Sequence, residues 1–312
     1  MTWVALAGGV GAARFLRGLV AVVPPTEVVA VVNTGDDRES YGVHVSPDLD
    51  IVTYTLAGQV DAQKGYGLAG DSFGLVDALA RFGHPTWFRL GDRDFATCLH
   101  RTLRLRAGAG LAEVTDEIRR ALGVAARLLP MSEDPCPTFV LLRDGRRLHF
   151  EEFLARDGAP DEVADVDLGD ARRARPGPGV LEAIAGAEGV IVCPSNPVVS
   201  IGPILAIPGV RDALRRAAAP VVAISPIVGG APVKGPADRL LRGIGAEVSA
   251  RGVAALYRDV ARGFVLDERD MEDAEDIASL GLVPKVVDTL MTDASRAARL
   301  AEATLELARQ LR

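Results

Sequence analysis

Cysteine is scarce in this sequence, and the three present, Cys98, Cys136 and Cys193, form no C-x-x-C pair and have no histidine at metal-ligand spacing. That pattern excludes a thiolate metal centre and suits a reduced, cytoplasmic protein. Histidine is scarce too: residues 44, 84, 100 and 149 share no spacing that suggests a metal site or a triad. No G-x-S-x-G occurs, so a serine-centred covalent route has no support, and a metal-assisted direct displacement fits better. Long apolar runs are absent, and nothing approaches the roughly 20 uninterrupted residues of a membrane span. The apolar start lacks a basic segment before it and is broken by glycines, Arg14 and Arg17, so it reads as a buried strand entering a helix rather than a targeting peptide. A basic excess is missing as well. Lys and Arg number 35 against 42 Asp and Glu, a net charge of −7, which disfavours nucleic acid and anionic membranes as partners but leaves room for a small anionic ligand at a local site.

What the chain has is 312 residues, enough for one large α/β domain carrying an insertion or for two modest domains. Short β-branched runs end in Gly, Pro, Ser or Asn at Trp3–Ala7, Val28–Asn33, Trp87–Leu90, Val190–Cys193, Val221–Ser225 and Lys285–Leu290. Helical patterns lie between many of them, as at Ala12–Val22, Val210–Ala218 and Ser295–Leu311. Apolar strands alternating with helices predict a parallel sheet covered on both faces, whose ligands gather at the carboxyl ends of the strands. The alternation breaks within residues 95–158. There two charged helices, Thr97–Ala107 and Leu111–Leu122, precede a hairpin of Thr138–Leu142 and Arg147–Phe150 turned by Asp144-Gly145. This region reads as an inserted helical and hairpin lobe on a core of residues 1–94 and 159–312. Its arginines, at 101, 104, 106, 119, 120 and 127, read as a solvated helical face.

Four loops at the expected strand ends carry candidate chemistry. Gly8-Gly9-Val10-Gly11 follows the first strand; its spacing departs from a dinucleotide fingerprint, yet it lets the backbone approach an anion at a helix N-terminus, with Arg14 adding charge. Asn33-Thr34-Gly35-Asp36-Asp37 and Ser46-Pro47-Asp48-Leu49-Asp50 place four carboxylates in successive turns. Such residues also form ordinary turns, but the doubled cluster favours a hard divalent cation such as Mg²⁺. Trp87-Phe88-Arg89-Leu90-Gly91-Asp92-Arg93-Asp94 offers Arg89 as a ligand-binding donor. Cys193-Pro194-Ser195-Asn196-Pro197, followed by Ser200, and a later loop with Gly229-Gly230, Lys234 and Gly235 could cradle a phosphate or a base. Their convergence on one sheet edge points to a phosphorylated, nucleotide-like ligand.

On these residues the chain resembles the 2-phospho-L-lactate (or phosphoenolpyruvate) transferases of coenzyme F-420 biosynthesis. The shared stretches are GGVGAARFLRGL, NTGDD, SPDLDIVTYTLAG, LGDRDFATCLHRT, ARLLPMSEDP, PSNPVVSIGPILAIPGVR, SPIVGGAPVKGPA and TLMTD, in family order along nearly the whole chain. The resemblance implies a Rossmann-like core with a smaller helical lobe, usually dimeric. It implies an activity that joins a three-carbon phosphoacid, carried as a guanosine diphosphate ester, to the ribityl hydroxyl of 7,8-didemethyl-8-hydroxy-5-deazariboflavin (Fo), with GMP leaving. Carried over by position, Asp50 and Arg89 meet Fo, with Asp50 catalytic. Asp36 and Asp50, with Asp48 behind them, take Mg²⁺. Gly8, Gly9, Gly11, Asn33, Thr34, Ser195, Asn196 and Ser200 take the guanosine diphosphate part. Family loops often read GGTG, so Val10 removes a hydroxyl and leaves only backbone donors there.

A second reading, a nucleotide-sugar-binding regulator of the gluconeogenesis-factor type, shares the glycine loop and general fold; SPDLD followed by LGDRD favours the transferase. An NAD-dependent oxidoreductase is weakened by the glycine spacing and by Asn33 where an acidic residue would end the second strand. No residue distinguishes a lactyl, enolpyruvyl or glyceryl donor.

Overall fold

The computed structural model describes residues 2–312. Its main sheet contains seven strands, here numbered β1 (Trp3–Ala7), β2 (Val28–Val32), β3 (Arg127–Pro130), β4 (Gly189–Val192), β5 (Val221–Ile224), β6 (Gly263–Asp267) and β7 (Val283–Val287). They lie in the order β7-β6-β5-β4-β1-β2-β3, and every pairing is parallel. The central strands read WVALA, VVAVV and GVIV and are buried throughout, because both faces are covered. Trp3, Ala5 and Ala7 face one layer, where they join Phe15, Leu16 and Leu19 of helix α1 (Gly9–Val22) and Leu300 of the C-terminal helix Ala294–Gln310. Val4 and Leu6 face the other, with Ile184, Val210 and Leu214.

Two features depart from the sequence expectation. Trp87–Leu90 is no strand: the segment runs as an irregular loop, since its residues turn towards a cavity and pair with no neighbouring strand. The last strand is Val283–Val287, two residues earlier than the apolar run suggested, because it pairs in register with Gly263–Asp267.

The smaller lobe packs beside the β2–β3 side. Helices α2 (Pro47–Leu56), α3 (Gly74–Ala80), α4 (Asp92–Arg106) and α5 (Leu111–Ala121) precede the hairpin Phe139–Leu142 and Arg147–His149. A third antiparallel strand, Val163–Asp167, joins that hairpin from beyond residue 158. Within 95–158, Arg127–Pro130 belongs to the main sheet as its edge strand β3, with Leu128 and Leu129 buried on opposite faces. The consequence for function lies at the sheet centre. Chain order reverses between β1 and β4, and such a switch point opens a crevice at the carboxyl ends of the strands.

Candidate functional site

That crevice is a cleft of about 700 Å³, within the usual range for small-molecule sites. Its floor is the loop from β1 to α1. Gly9 sits at φ +67°, a backbone state that favours glycine, and a side chain at position 11 would run into the Pro194 carbonyl oxygen at 2.1 Å. The loop after β4 therefore lies directly against the glycine turn. The N-cap residue of α1 is Gly8, which has no side chain to cap the helix; Gly9 donates to Asp48 Oδ1 at 2.7 Å, and the first-turn amides of Val10 and Gly11 follow it. On the facing loop, Ser195 is buried with its Oγ unpartnered, while Asn196 Oδ1 accepts from the Val198 and Val199 amides and fixes the turn. Ser200 lines the cleft beside them.

Asn33 and Thr34, expected to touch a guanylate, do not line it. Asn33 is an internal strut: its Nδ2 donates to Asp48 Oδ2 at 2.9 Å and to the Val199 carbonyl at 3.3 Å, and its Oδ1 accepts from the Gly35 amide at 2.8 Å. Thr34 is turned away, with its hydroxyl 3.6 Å from Cys136 Sγ.

Three carboxylates cluster near this floor. Asp36 is 4 % exposed, and its Oδ1 has no hydrogen-bond partner. Burial, followed by the charges of Asp48, Glu151 and Asp37, pushes its pKa well up. Burial likewise raises Asp48 to about 6, against its hydrogen bonds from Asn33 and Gly9. Glu151, from the end of the lobe hairpin, rises to about 7 through burial and the Asp48 charge. This set was only partly foreseen, since Glu151 lies a hundred residues beyond the acidic turns and nothing local marks it. A buried, unpartnered carboxylate oxygen among like charges fits a divalent cation, which prefers oxygen ligands.

Asp50, expected to share that cation with Asp36, has other company. Arg101 grips both of its oxygens: Nη2 bonds Oδ1, and Nη1 lies 3.1 Å from Oδ2. Burial opposes the guanidinium charge, and Asp50 more than compensates, so the Arg101 pKa is raised. Arg101 thus departs from the solvated arginine face expected of α4. It falls in the stripe of Cys98, Thr102 and Leu105 that turns inward, whereas Arg106 and Arg120 are exposed. Beside the pair, Tyr54 donates to Asp94 Oδ1 at 2.7 Å, and burial followed by the Asp50 charge raises Asp94 to about 7. Asp50, Asp94 and Cys98 also bring one ligand atom each within 4.8 Å of one another.

The opposite wall is aromatic. Arg89 donates to Asp77 Oδ1 at 2.6 Å and lies 4.7 Å from the Phe73 ring centre; it lines the cleft with Trp87 and Phe88. Asp92 points elsewhere, accepting the Gly74 and Leu75 amides that start α3, while Asp71 lines the cleft and accepts the Arg93 and Asp94 amides that start α4. At the mouth, Lys234 donates to the Lys64 carbonyl at 2.8 Å, closing one loop over another, and burial together with Arg14 lowers its pKa. Positive charge thus gathers above the glycine turn.

With this geometry in view, comparison with known proteins gives a consistent picture. The family described as 2-phospho-L-lactate transferase CofD matches residues 3–300. A phosphoenolpyruvate transferase from Kitasatospora aureofaciens is 46% identical over 319 residues, covering 100% of this chain and 99% of that one. A 2-phospho-L-lactate transferase from Methanosarcina mazei is 40% identical over 300 residues, covering 96% and 98%. Among solved structures, a member of the upf0052 family from Bacillus halodurans superposes with a TM-score of 0.65 at 19% identity, over 97% of this chain and 98% of that one, a likeness of fold.

Proposed function

The chain belongs to the 2-phospho-L-lactate transferase CofD family, and on that premise we propose how its cleft carries out a transfer of coenzyme F-420 biosynthesis. A phosphoenolpyruvyl or 2-phospho-L-lactyl group passes from its guanosine diphosphate ester to the ribityl hydroxyl of Fo. The acceptor oxygen attacks the phosphorus that bears the three-carbon acid, the bridging P–O bond to the guanylate breaks, and GMP leaves with that oxygen. The observation that carries this reading is convergence: anion-binding backbone, uncompensated carboxylates and the clamped Asp50 line one cleft at the β1–β4 switch. The regulator alternative is not favoured, since relatives that share the whole length are named as transferases.

Phosphoryl transfer asks a protein mainly to align nucleophile and leaving group and to neutralise spreading charge. The Val10 and Gly11 amides of α1 and the Ser195 hydroxyl meet the pyrophosphate, with Arg14 and Lys234 above it. Asp36 and Asp48 are the residues that would hold Mg²⁺, with Glu151 beside them; the chemistry such an ion supplies is charge neutralisation on the diphosphate. Asp50, held in one plane by Arg101, is the group that accepts the acceptor hydroxyl's hydrogen bond and its proton as the new P–O bond forms. Arg89 and the Trp87–Phe88 wall take the flat deazaflavin ring. The reading includes a homodimer working in the cytoplasm, on the strength of the family resemblance; among the described residues no helix is long and apolar enough to cross a membrane. Isothermal titration of Fo and GDP into the purified protein, with and without Mg²⁺, tests the assignment. Mg²⁺ should strengthen GDP binding and leave Fo binding nearly unchanged, and Mg²⁺-independent GDP affinity would remove the cation from the site.

A further inference from the structure

Arg101 is the only buried arginine among the described residues, 1 % exposed, and it faces Asp50, itself 5 % exposed on the cleft wall. Both guanidinium Nη groups are committed to the two carboxylate oxygens, and Nη1 also lies 3.3 Å from the His44 carbonyl oxygen. A forked pair of this kind fixes the plane of the carboxylate as well as its charge, which a lysine cannot do. The two helices involved are tied again nearby, where Tyr54 of α2 meets Asp94 of α4. Residues 94, 98 and 101 share one face of α4, so that Cys98 and Arg101 together enclose Asp50. The start of α4 is in turn held by Asp71, which accepts the Arg93 and Asp94 amides at 2.9 and 3.1 Å. Buried ion pairs are a weak source of stability, because desolvation offsets much of the attraction. A forked pair beside a substrate cleft, formed although the Arg101 Nε stays buried without a partner, is better explained by what it orients.

We propose that Arg101 is a positioning residue for the transfer: it holds Asp50 in one orientation, leaving the cleft-facing side of the carboxylate to receive the attacking hydroxyl. The proposal rests on the reading of Asp50 as the group that meets the acceptor. A hydroxyl bound to a fixed carboxylate keeps one line of approach to phosphorus, and a freely turning carboxylate loses that alignment.

The test compares R101K, R101A and D50N in the full-length protein, measuring turnover with Fo, Mg²⁺ and guanylated donor alongside GDP affinity and thermal melting. R101K keeps the buried charge and should bind GDP within about twofold of the parent, yet its kcat should fall on the order of a hundredfold with the KM for Fo changed far less. Added guanidinium at sub-denaturing concentration should restore R101A turnover at least about tenfold, a rescue that a purely structural role would not give. Folded R101K or R101A with kcat within about threefold of the parent, beside an inactive D50N, would overturn the proposal and leave the Asp50 reading standing. An active D50N would instead overturn the Asp50 reading itself. Failure of both Arg101 variants to fold would assign the pair to stability and likewise overturn the proposal.

Discussion

At Asp50 the chain supplies its own cation, since Arg101 grips both carboxylate oxygens; at Asp36 it supplies none, and one oxygen stays buried without a partner. Both aspartates come from acidic turns that look alike in sequence and lie fourteen residues apart, Asp36 to Asp50. Helix α4 makes them different by delivering its guanidinium to only one of them. The lesson is a division of labour: the clamped carboxylate is fixed in orientation to meet a hydroxyl, and the uncompensated group is built to await charge from outside the chain.

The strongest way to break that division is D50N, which keeps shape and removes the base. Turnover should fall on the order of a thousandfold with GDP affinity unchanged by titration, and full turnover would end the proton-handling role. Next comes the uncompensated side. Chelation of divalent ions, or D36N, should cost on the order of a hundredfold in turnover, and D36N alone should raise the melting temperature of the metal-free protein by removing a carboxylate that burial disfavours.

Acidity sharpens the same contrast. Asp48 and Glu151 titrate at about 6 and about 7 in the fold, above their ordinary values of 3.8 and 4.5. Raised carboxyl groups add stability that is fully present below about pH 4 and is lost as pH rises through 6 to 7. Thermal melts in chelator should therefore fall between about pH 4 and 7 and level off above it, and Mg²⁺ at pH 8 should recover much of the loss; a flat profile from pH 4 to 7 would contradict the clustering. The smallest effect is expected at the aromatic wall. Arg89 is half exposed, so R89A should weaken Fo binding by no more than about tenfold in a fluorescence titration and leave GDP untouched.

Much of this was legible in the sequence, and the omissions have physical causes. Continuous apolar runs announced β1, β2, β4 and β5, because strands covered on both faces carry no polar positions. Trp87–Leu90 shows the same apolar character for another reason: it lines a ligand cleft, and period-2 reasoning cannot separate a cleft wall from a sheet. Arg127–Pro130 opens on a charge and ends in proline, features tolerated only because it is an edge strand. The acidic turns marked the site, yet which aspartate is paired depends on a helix some fifty residues away. Arg101 could have been suspected from its place in the inward stripe of α4, between Cys98 and Leu105, where a solvated arginine has no room. Asn33 braces two loops, and in sequence a buried amide of that kind reads like one that binds a ligand.

The most direct measurement is a single incubation of the purified protein with Fo, Mg²⁺ and the guanylated phosphoenolpyruvyl or 2-phospho-L-lactyl donor, read by mass spectrometry. A phosphodiester of Fo and the three-carbon acid should appear together with an equal amount of GMP, and neither should accumulate with D50N. GMP released without the coupled diester, or no turnover of either donor, would contradict a transferase built around this cleft.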